Sequence, residues 1–269
     1  MITARSRAIV AGHPDEASGL DTVRMFNRYE FKYLADQRTV AAFRAGLGSR
    51  VDRDRHGARG FYQVWSRYYD TADLSFYWQK IDGIRFRRKL RVRHYGEPDL
   101  ITGETPVWVE IKQRLNRVTQ KRRVLLPYAE ALRLCAGQDP GTLIGHDVRV
   151  AEEIVGFVST LALRPITVVG YVREALLGRD EDGGLRITID SRLRGRDRDL
   201  DLHAAAENRL LVNPEVSVIE LKVNERVPYW LTEHIALHGL RLVRLSKYCQ
   251  SIEAFHGVPR STRVADDMN

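Results

Sequence analysis

Cysteine is almost absent from this 269-residue chain. Cys135 and Cys249 stand far apart and in no metal-ligand spacing. That argues against a disulfide framework and makes a reducing compartment the default. Long apolar runs are missing too. No stretch approaches the roughly 18 apolar residues of a membrane span, and Met1 to Leu20 carries Arg5 and Arg7 but no apolar stretch long enough for a signal peptide. The expectation is a soluble cytoplasmic protein. No GxxxxGK[S/T] loop occurs, which disfavours a P-loop ATPase, and no persuasive Ser-His-Asp or Cys-His set is present. Gly183-Gly184 reads as a hairpin turn, not a phosphate loop. His234 and His238 lie one turn apart on an expected helix, but no third metal ligand is evident, and a surface helix is the simpler reading.

What is present in quantity is charge. Charged residues make up 29% and hydrophobic ones 43%, a balance that suits a globular domain with a real core. The net charge of +8 and pI near 9.6 favour an anionic partner: nucleic acid, a nucleotide, polyphosphate or an acidic membrane surface. Residues 1–23 and 258–269 lack periodicity and read as flexible tails. Between them, 24–257 reads as a single β-rich domain without an internal repeat or a clear linker.

The cations are patterned. Alternate side chains of a strand share a face, so Arg85, Arg87, Lys89, Arg91 and Arg93 form one row, with Ile84, Phe86, Leu90 and Val92 opposite. The same alternation is expected of strands at 24–33, 62–69, 107–115, 118–126, 167–176, 185–193 and 216–223, and a short strand at 240–245. Helices are expected from Asp36 as N-cap to about Leu47, from Pro127 to Cys135, over 148–163, from Pro228 to about His238, and after a Ser246 cap. Asp70-Thr71-Ala72-Asp73 has turn chemistry. One charged and one apolar face on at least six strands suggests a barrel with a polar interior and helices packed on its apolar outside. Charges lining such an interior are costly when dry. They become sensible around water, a metal ion and a highly charged ligand.

Lys32, Arg91, Arg93, Lys112, Lys121, Arg173, Arg186, Lys222 and Lys247 are the candidate inward cations. Guanidinium groups match phosphate oxygens bidentately, and lysines supply compact charges. Glu30, Glu110, Asp190 and Glu220 lie in phase with them. Such carboxylates could supply the hard oxygen ligands that a phosphoryl-transfer site needs for Mg²⁺ or Mn²⁺. They could equally pair with the neighbouring cations.

A resemblance rests on nine blocks in order. These are Arg28-Tyr29-Glu30-Phe31-Lys32-Tyr33, Tyr69-Asp70-Thr71, Arg91-Val92-Arg93-His94-Tyr95-Gly96, Glu110-Ile111-Lys112, Lys121-Arg122-Arg123, Tyr171-Val172-Arg173, Arg186-Ile187-Thr188-Ile189-Asp190, Glu220-Leu221-Lys222 and Ser246-Lys247-Tyr248. Together they resemble the VTC domains of polyphosphate polymerases, within the triphosphate tunnel metalloenzyme (CYTH-like) superfamily. The resemblance implies an α+β fold with an eight-stranded antiparallel tunnel. It implies that Lys32, Arg91, Arg93, Lys112, Lys121, Arg173, Arg186, Arg244 and Lys247 contact phosphates and that Glu220 holds the metal. Glu30, Glu110 and Asp190 are weaker candidates for the metal shell or for positioning lysines.

The resemblance further implies an ATP-dependent, Mn²⁺- or Mg²⁺-dependent polyphosphate polymerase, with ATP and polyphosphate or pyrophosphate as its partners. Nucleic acid is not expected, and a separate membrane partner is left open. Arg28 stands where the tunnel hydrolases and cyclases carry the first Glu of Glu-x-Glu-x-Lys. That departure leans away from the first alternative, a tunnel triphosphatase. The second alternative is a non-catalytic polyphosphate- or RNA-binding module. It would want aromatic stacking beside its cations.

Overall fold

The computed structural model describes residues 29–54, 60–116, 118–138, 143, 145–224 and 226–258. Arg28 and the N-terminal tail lie outside them, as does the C-terminal tail beyond residue 258. β1 (Tyr29–Asp36) leads into α1 (Gln37–Leu47) and the short β2 (Val51–Arg53). β3 (Phe61–Asp70) is followed by α2 (Ser75–Ile81), β4 (Phe86–Tyr95), β5 (Pro106–Leu115) and β6 (Val118–Pro127). α3 (Tyr128–Leu134) and α4 (His146–Leu161) precede β7 (Arg164–Gly178), β8 (Arg186–Arg196) and the two-residue β9 (Arg209–Leu210). Then come β10 (Val216–Val223), α5 (Tyr229–Leu237) and α6 (Lys247–Phe255).

All ten strands belong to one sheet, in the order β1-β10-β8-β7-β3-β4-β5-β6, with β2 added to β7 and β9 to β8. Every pairing is antiparallel. β1 and β6, at the two ends of that path, are not hydrogen-bonded to each other. The sheet still curls until its ends approach, because Lys112 of β5 reaches Glu30 of β1 at 3.4 Å. β7 is long enough to pair with three strands, β2 and β3 along one edge and β8 along the other, and its register against β8 shifts between Gly170 and Val172. Gly170 is required there. A Cβ would lie 2.6 Å from the Trp65 ring, a contact closer than packed atoms allow.

The alternation produces two faces. On the outer face, Trp65, Leu90, Val92, Val109 and Ile111 pack with α3 and α4 in one core. Tyr33, Ile187, Ile189, Ile219 and Leu221 pack with α1 and Leu231 of α5 in another. The inner face carries the charges. α6 lies on that face, where Tyr248, Cys249 and Ile252 meet Val64, Tyr68, Val169 and Tyr171. One end of the concave side is thus filled by a helix. Both cysteines are buried and free. No described helix is long and apolar enough to cross a membrane.

Local chemistry explains the elements. Asp36 caps α1 by accepting from the Thr39 N–H at 2.6 Å, and Ser246 caps α6 through the Cys249 N–H. His234 packs against Phe43 and contacts its carbonyl oxygen at 2.7 Å through Nε2, which gives the pair with His238 a packing role. Two expectations need correction. Residues 240–245 form no strand: Leu242 makes an isolated bridge to Tyr33, and the Val243 N–H donates to the Lys32 carbonyl. The turn at Asp70–Asp73 leads into α2, which the sequence reading omitted. Asp70 initiates it by accepting from the Phe76 and Tyr77 N–H groups at 2.9 and 3.2 Å.

Candidate functional site

The pairing registers bring the predicted side chains together. On β4 and β5, Arg91 faces Glu110 and Lys89 faces Lys112, and Lys112 faces Lys121 on β6. Around the curl, Lys32 faces Glu220, which faces Thr188. Glu30 faces Lys222, which faces Arg186. Arg173 faces Asp190. Lys247, the first residue of α6, enters from the helix that fills one end.

Each carboxylate is engaged by cations. Arg173 binds Asp190 bidentately at 2.7 and 2.8 Å, and Lys247 reaches its second oxygen at 2.6 Å. Glu220 lies 3.0 Å from Lys222, 3.6 Å from Lys32 and 3.9 Å from Lys247. Glu30 contacts Lys32 at 2.9 Å as well as Lys112. Glu110, fully buried, takes Arg91 at 2.6 Å and Lys121 at 3.5 Å. Arg93 donates to Ser66 Oγ at 3.0 Å, and Arg186 reaches Asp54 at 3.1 Å.

The electrostatics follow from this packing. Burial pushes the Asp190 carboxyl up, but Arg173 and Lys247 outweigh it and hold it at about 2. Burial acts the same way on Glu220, where Lys222, Lys32 and Lys247 win, and on Glu110, where Arg91 and Lys121 win; both stay below the usual carboxylate range. Burial would lower Lys32, yet Glu220 and Glu30 raise it above an ordinary lysine. These groups are therefore ionised at neutral pH, and the cations are fixed in place before any ligand arrives.

The predicted residues of the strands, together with Lys247, are tied into this network. Arg244 is exposed and sits two residues before the α6 cap, with Lys80 as a charged neighbour. The sequence reading missed four participants. Tyr68 receives a 3.4 Å hydrogen bond from Arg91, and although burial opposes it, Arg91 and Arg93 bring its phenol down to about 7. Ser66 holds Arg93, and Asp54 holds Arg186. The buried Thr188 hydroxyl has no hydrogen-bond partner among the described residues. Tyr68, Ser66 and Thr188 were legible from strand phase, since each alternates with outward residues. Nothing in the sequence around Asp54 marks it.

No three His, Cys, Asp or Glu side chains suited to a metal ion gather among the described residues. Asp190 has both oxygens hydrogen-bonded to Arg173, and Glu110 gives one oxygen to Arg91 while its buried Oε1 has Lys121 at 3.5 Å but no hydrogen-bond partner among the described residues. Glu30 and Glu220 share Lys32 between them. That pair fits Mg²⁺ or Mn²⁺, because Mg²⁺ is usually held by one or two carboxylates with the remaining ligands from water and substrate phosphates.

Comparison with known proteins bears on this arrangement. A crystal structure of a candidate adenylate cyclase from Bacillus halodurans superposes with a TM-score of 0.50 at 14% identity, over 85% of this chain and 98% of that one. A Pyrococcus horikoshii protein gives 0.43 at 14% identity over 84% of this chain and 99% of its own. A candidate adenylate cyclase from Vibrio parahaemolyticus gives 0.41 at 11% over 81% and 94%. At such identity the first likeness supports the tunnel fold and says nothing of activity. No curated protein matches the chain. The VTC domain model matches residues 27–256, spanning every strand of the sheet and all six helices, and the chain belongs to the VTC domain family.

Proposed function

We propose that this protein is a nucleotide-dependent polyphosphate polymerase that transfers the γ-phosphoryl group of ATP to a phosphate or polyphosphate acceptor. The observation that carries the reading is the inner face itself. Cations outnumber carboxylates there, and ion pairs hold them in position. A chain of phosphates supplies the missing negative charge. Lys32, Lys112, Arg91, Arg93, Arg173 and Arg186 bind and orient the triphosphate, and Lys121, Lys222 and Lys247 extend the site. Arg244 adds an exposed cation before α6. Phosphoryl transfer depends chiefly on positioning and on neutralising charge at the transferred group. The fixed guanidinium groups provide both without reorganising. Glu220, with Glu30 beside it, would hold the Mn²⁺ or Mg²⁺ ion, which supplies further charge neutralisation between phosphate oxygens when bound. An orthophosphate, pyrophosphate or chain-end acceptor is already anionic near neutral pH, so the site needs no general base. The cations also offset repulsion between two polyanions.

The test is a metal-dependent assay of the purified protein with ATP and Mn²⁺ or Mg²⁺, resolving products on a gel stained for polyphosphate. A ladder of chains, lost in Glu220→Gln and in the Arg91→Ala, Arg93→Ala double variant, is the expected result. ATP loss with only free phosphate would replace the reading with a tunnel triphosphatase. Absence of turnover with tight, salt-sensitive binding would replace it with a polyanion-binding module.

A further inference from the structure

The concave face carries aromatic rings as well as charges, and the two ends differ. Tyr68 and Tyr171 are buried where α6 packs. Tyr62, Tyr95 and Trp108 lie on the same face but are only half-buried. They occupy the other end. Antiparallel pairing sets the start of β3, the end of β4, the start of β5 and the end of β6 side by side there. α6 covers the opposite end, where Ser246 meets Lys89 near the start of β4.

The registers fix what surrounds each ring. Trp108 pairs with Arg93 on β4 and with Leu125 on β6. The Arg123 guanidinium lies 3.9 Å from the centre of the Trp108 ring. Arg93 stands 5.8 Å from that of Tyr95. Tyr95 packs on Tyr62 with ring centroids 6.0 Å apart, and the Tyr62 hydroxyl accepts from Arg186 at 3.4 Å. Every ring of this end thus has an arginine of the charged face against it. The Arg91–Glu110 pair lies two residues deeper, about 6.7 Å along the strands. Aromatic walls with a few placed polar groups are the usual lining of a small-molecule site.

We propose that Trp108, Tyr95 and Tyr62 form a base seat, on which the base of a nucleoside triphosphate stacks while its phosphates extend inward past Arg93. The proposal rests on the nucleotide-dependent reading of the site and adds where the nucleoside lies and how its base is selected. With α6 over one end, a ligand whose phosphates reach the central cations leaves its base at the other. No asparagine or glutamine occupies an inner position of β3, β4, β5 or β6. These strands therefore offer no side-chain amide to the edge of the base, and selection follows the size of the stacked ring. ATP and GTP bind alike, and CTP binds more weakly. A continuous RNA strand fits less well, because the covered end admits phosphates only from a chain terminus.

The experiment measures binding of ATP, GTP, CTP and inorganic tripolyphosphate to the full chain, without divalent metal so that no turnover intervenes. It compares the wild type with Trp108→Leu and Trp108→Phe. In Trp108→Leu, ATP and GTP affinity should fall about tenfold while tripolyphosphate stays within about twofold. Trp108→Phe keeps a ring and should hold ATP within about threefold of the wild type. ATP should also quench the tryptophan fluorescence of the wild type, tripolyphosphate should not, and the quench should vanish in Trp108→Phe. The other tryptophans lie elsewhere: Trp65 on the outer face, Trp78 on α2 and Trp230 on α5. Equal losses for ATP and tripolyphosphate would give Trp108 a packing role and overturn the seat, as would no loss for either. An RNA oligonucleotide without a 5′-triphosphate that binds as tightly as ATP, and loses as much, would overturn it in favour of a nucleic-acid surface. Should Trp108→Leu fail to fold, Tyr95→Leu gives the same contrast. The polymerase reading fails separately. A wild type that shows the ATP contrast but makes no polyphosphate ladder keeps the seat and loses the polymerase.

Discussion

Asp190 illustrates how burial and pairing compete at a single residue. Its ordinary value of 3.8 is lowered to about 2, and Glu110 and Glu220 are likewise held below 4.5. A carboxyl depressed in the fold contributes stability that is present above its unfolded value and lost as pH falls toward its folded one. Thermal melts between pH 6 and 2 should therefore show a Tm that is steady at first, then falls once the pH drops below these ordinary values. Tyr68 works in the same direction higher on the scale. Its phenol, brought to about 7 against an ordinary 10.0, contributes stability that is complete above pH 10 and gone below pH 7. Ultraviolet difference spectra should reveal one tyrosine ionising near neutrality, and Tyr68→Phe should abolish that transition. Strand phase made the residue scale largely legible. Lys32, Glu220, Arg173 and Asp190 were all found by alternation. Asp54 was not, because its role comes from a long-range contact to Arg186 that no local pattern encodes.

The elements follow local rules where those rules are strong. Asp36, Pro127, Pro228 and Ser246 each mark a helix start correctly. α2 escaped because its N-cap is Leu74, which offers no capping side chain, and the carboxylate that accepts from its first-turn N–H groups is Asp70, the last residue of a strand. That carboxylate also accepts from the Tyr248 hydroxyl, so one buried side chain ties α2 to α6. Burial pushes its pKa up even with these donors around it. Asp70→Ala should loosen both helices together. Hydrogen exchange should quicken over 75–81 and 247–255 while α4 keeps its protection, with a loss of about 1–3 kcal/mol. The stretch at 240–245 shows the opposite failure. Its leucines and Val243 suggest a strand, but contact with β1 is limited to the Leu242–Tyr33 bridge and the Val243 N–H bond to the Lys32 carbonyl, too short to make a ladder.

At the scale of the whole molecule, the excess of positive charge should make stability depend on anions. Tripolyphosphate at a hundredfold its Kd should stabilise the protein by about 2.7 kcal/mol, which melting curves with and without the ligand would register as a raised Tm. The strand order was not legible from residue patterns, because alternation reveals a strand's faces and not its neighbours. Only the resemblance pointed to an antiparallel tunnel. That order has a consequence for synthesis. β3, β4, β5 and β6 are contiguous in both chain and sheet, so this basic part of the wall can pair as it leaves the ribosome. Arg91 finds Glu110 within the same segment, but Glu220, the counter-charge of Lys32 on β1, is translated nearly two hundred residues after that lysine, and β1 cannot be seated until β10 exists. A nascent chain in that interval displays the cations of β1, β4, β5 and β6 with Glu30 and Glu110 but without Glu220 and Asp190. Cellular polyanions are the natural substitute during those seconds. An anion would then act first as a temporary scaffold for the wall and only later as its ligand.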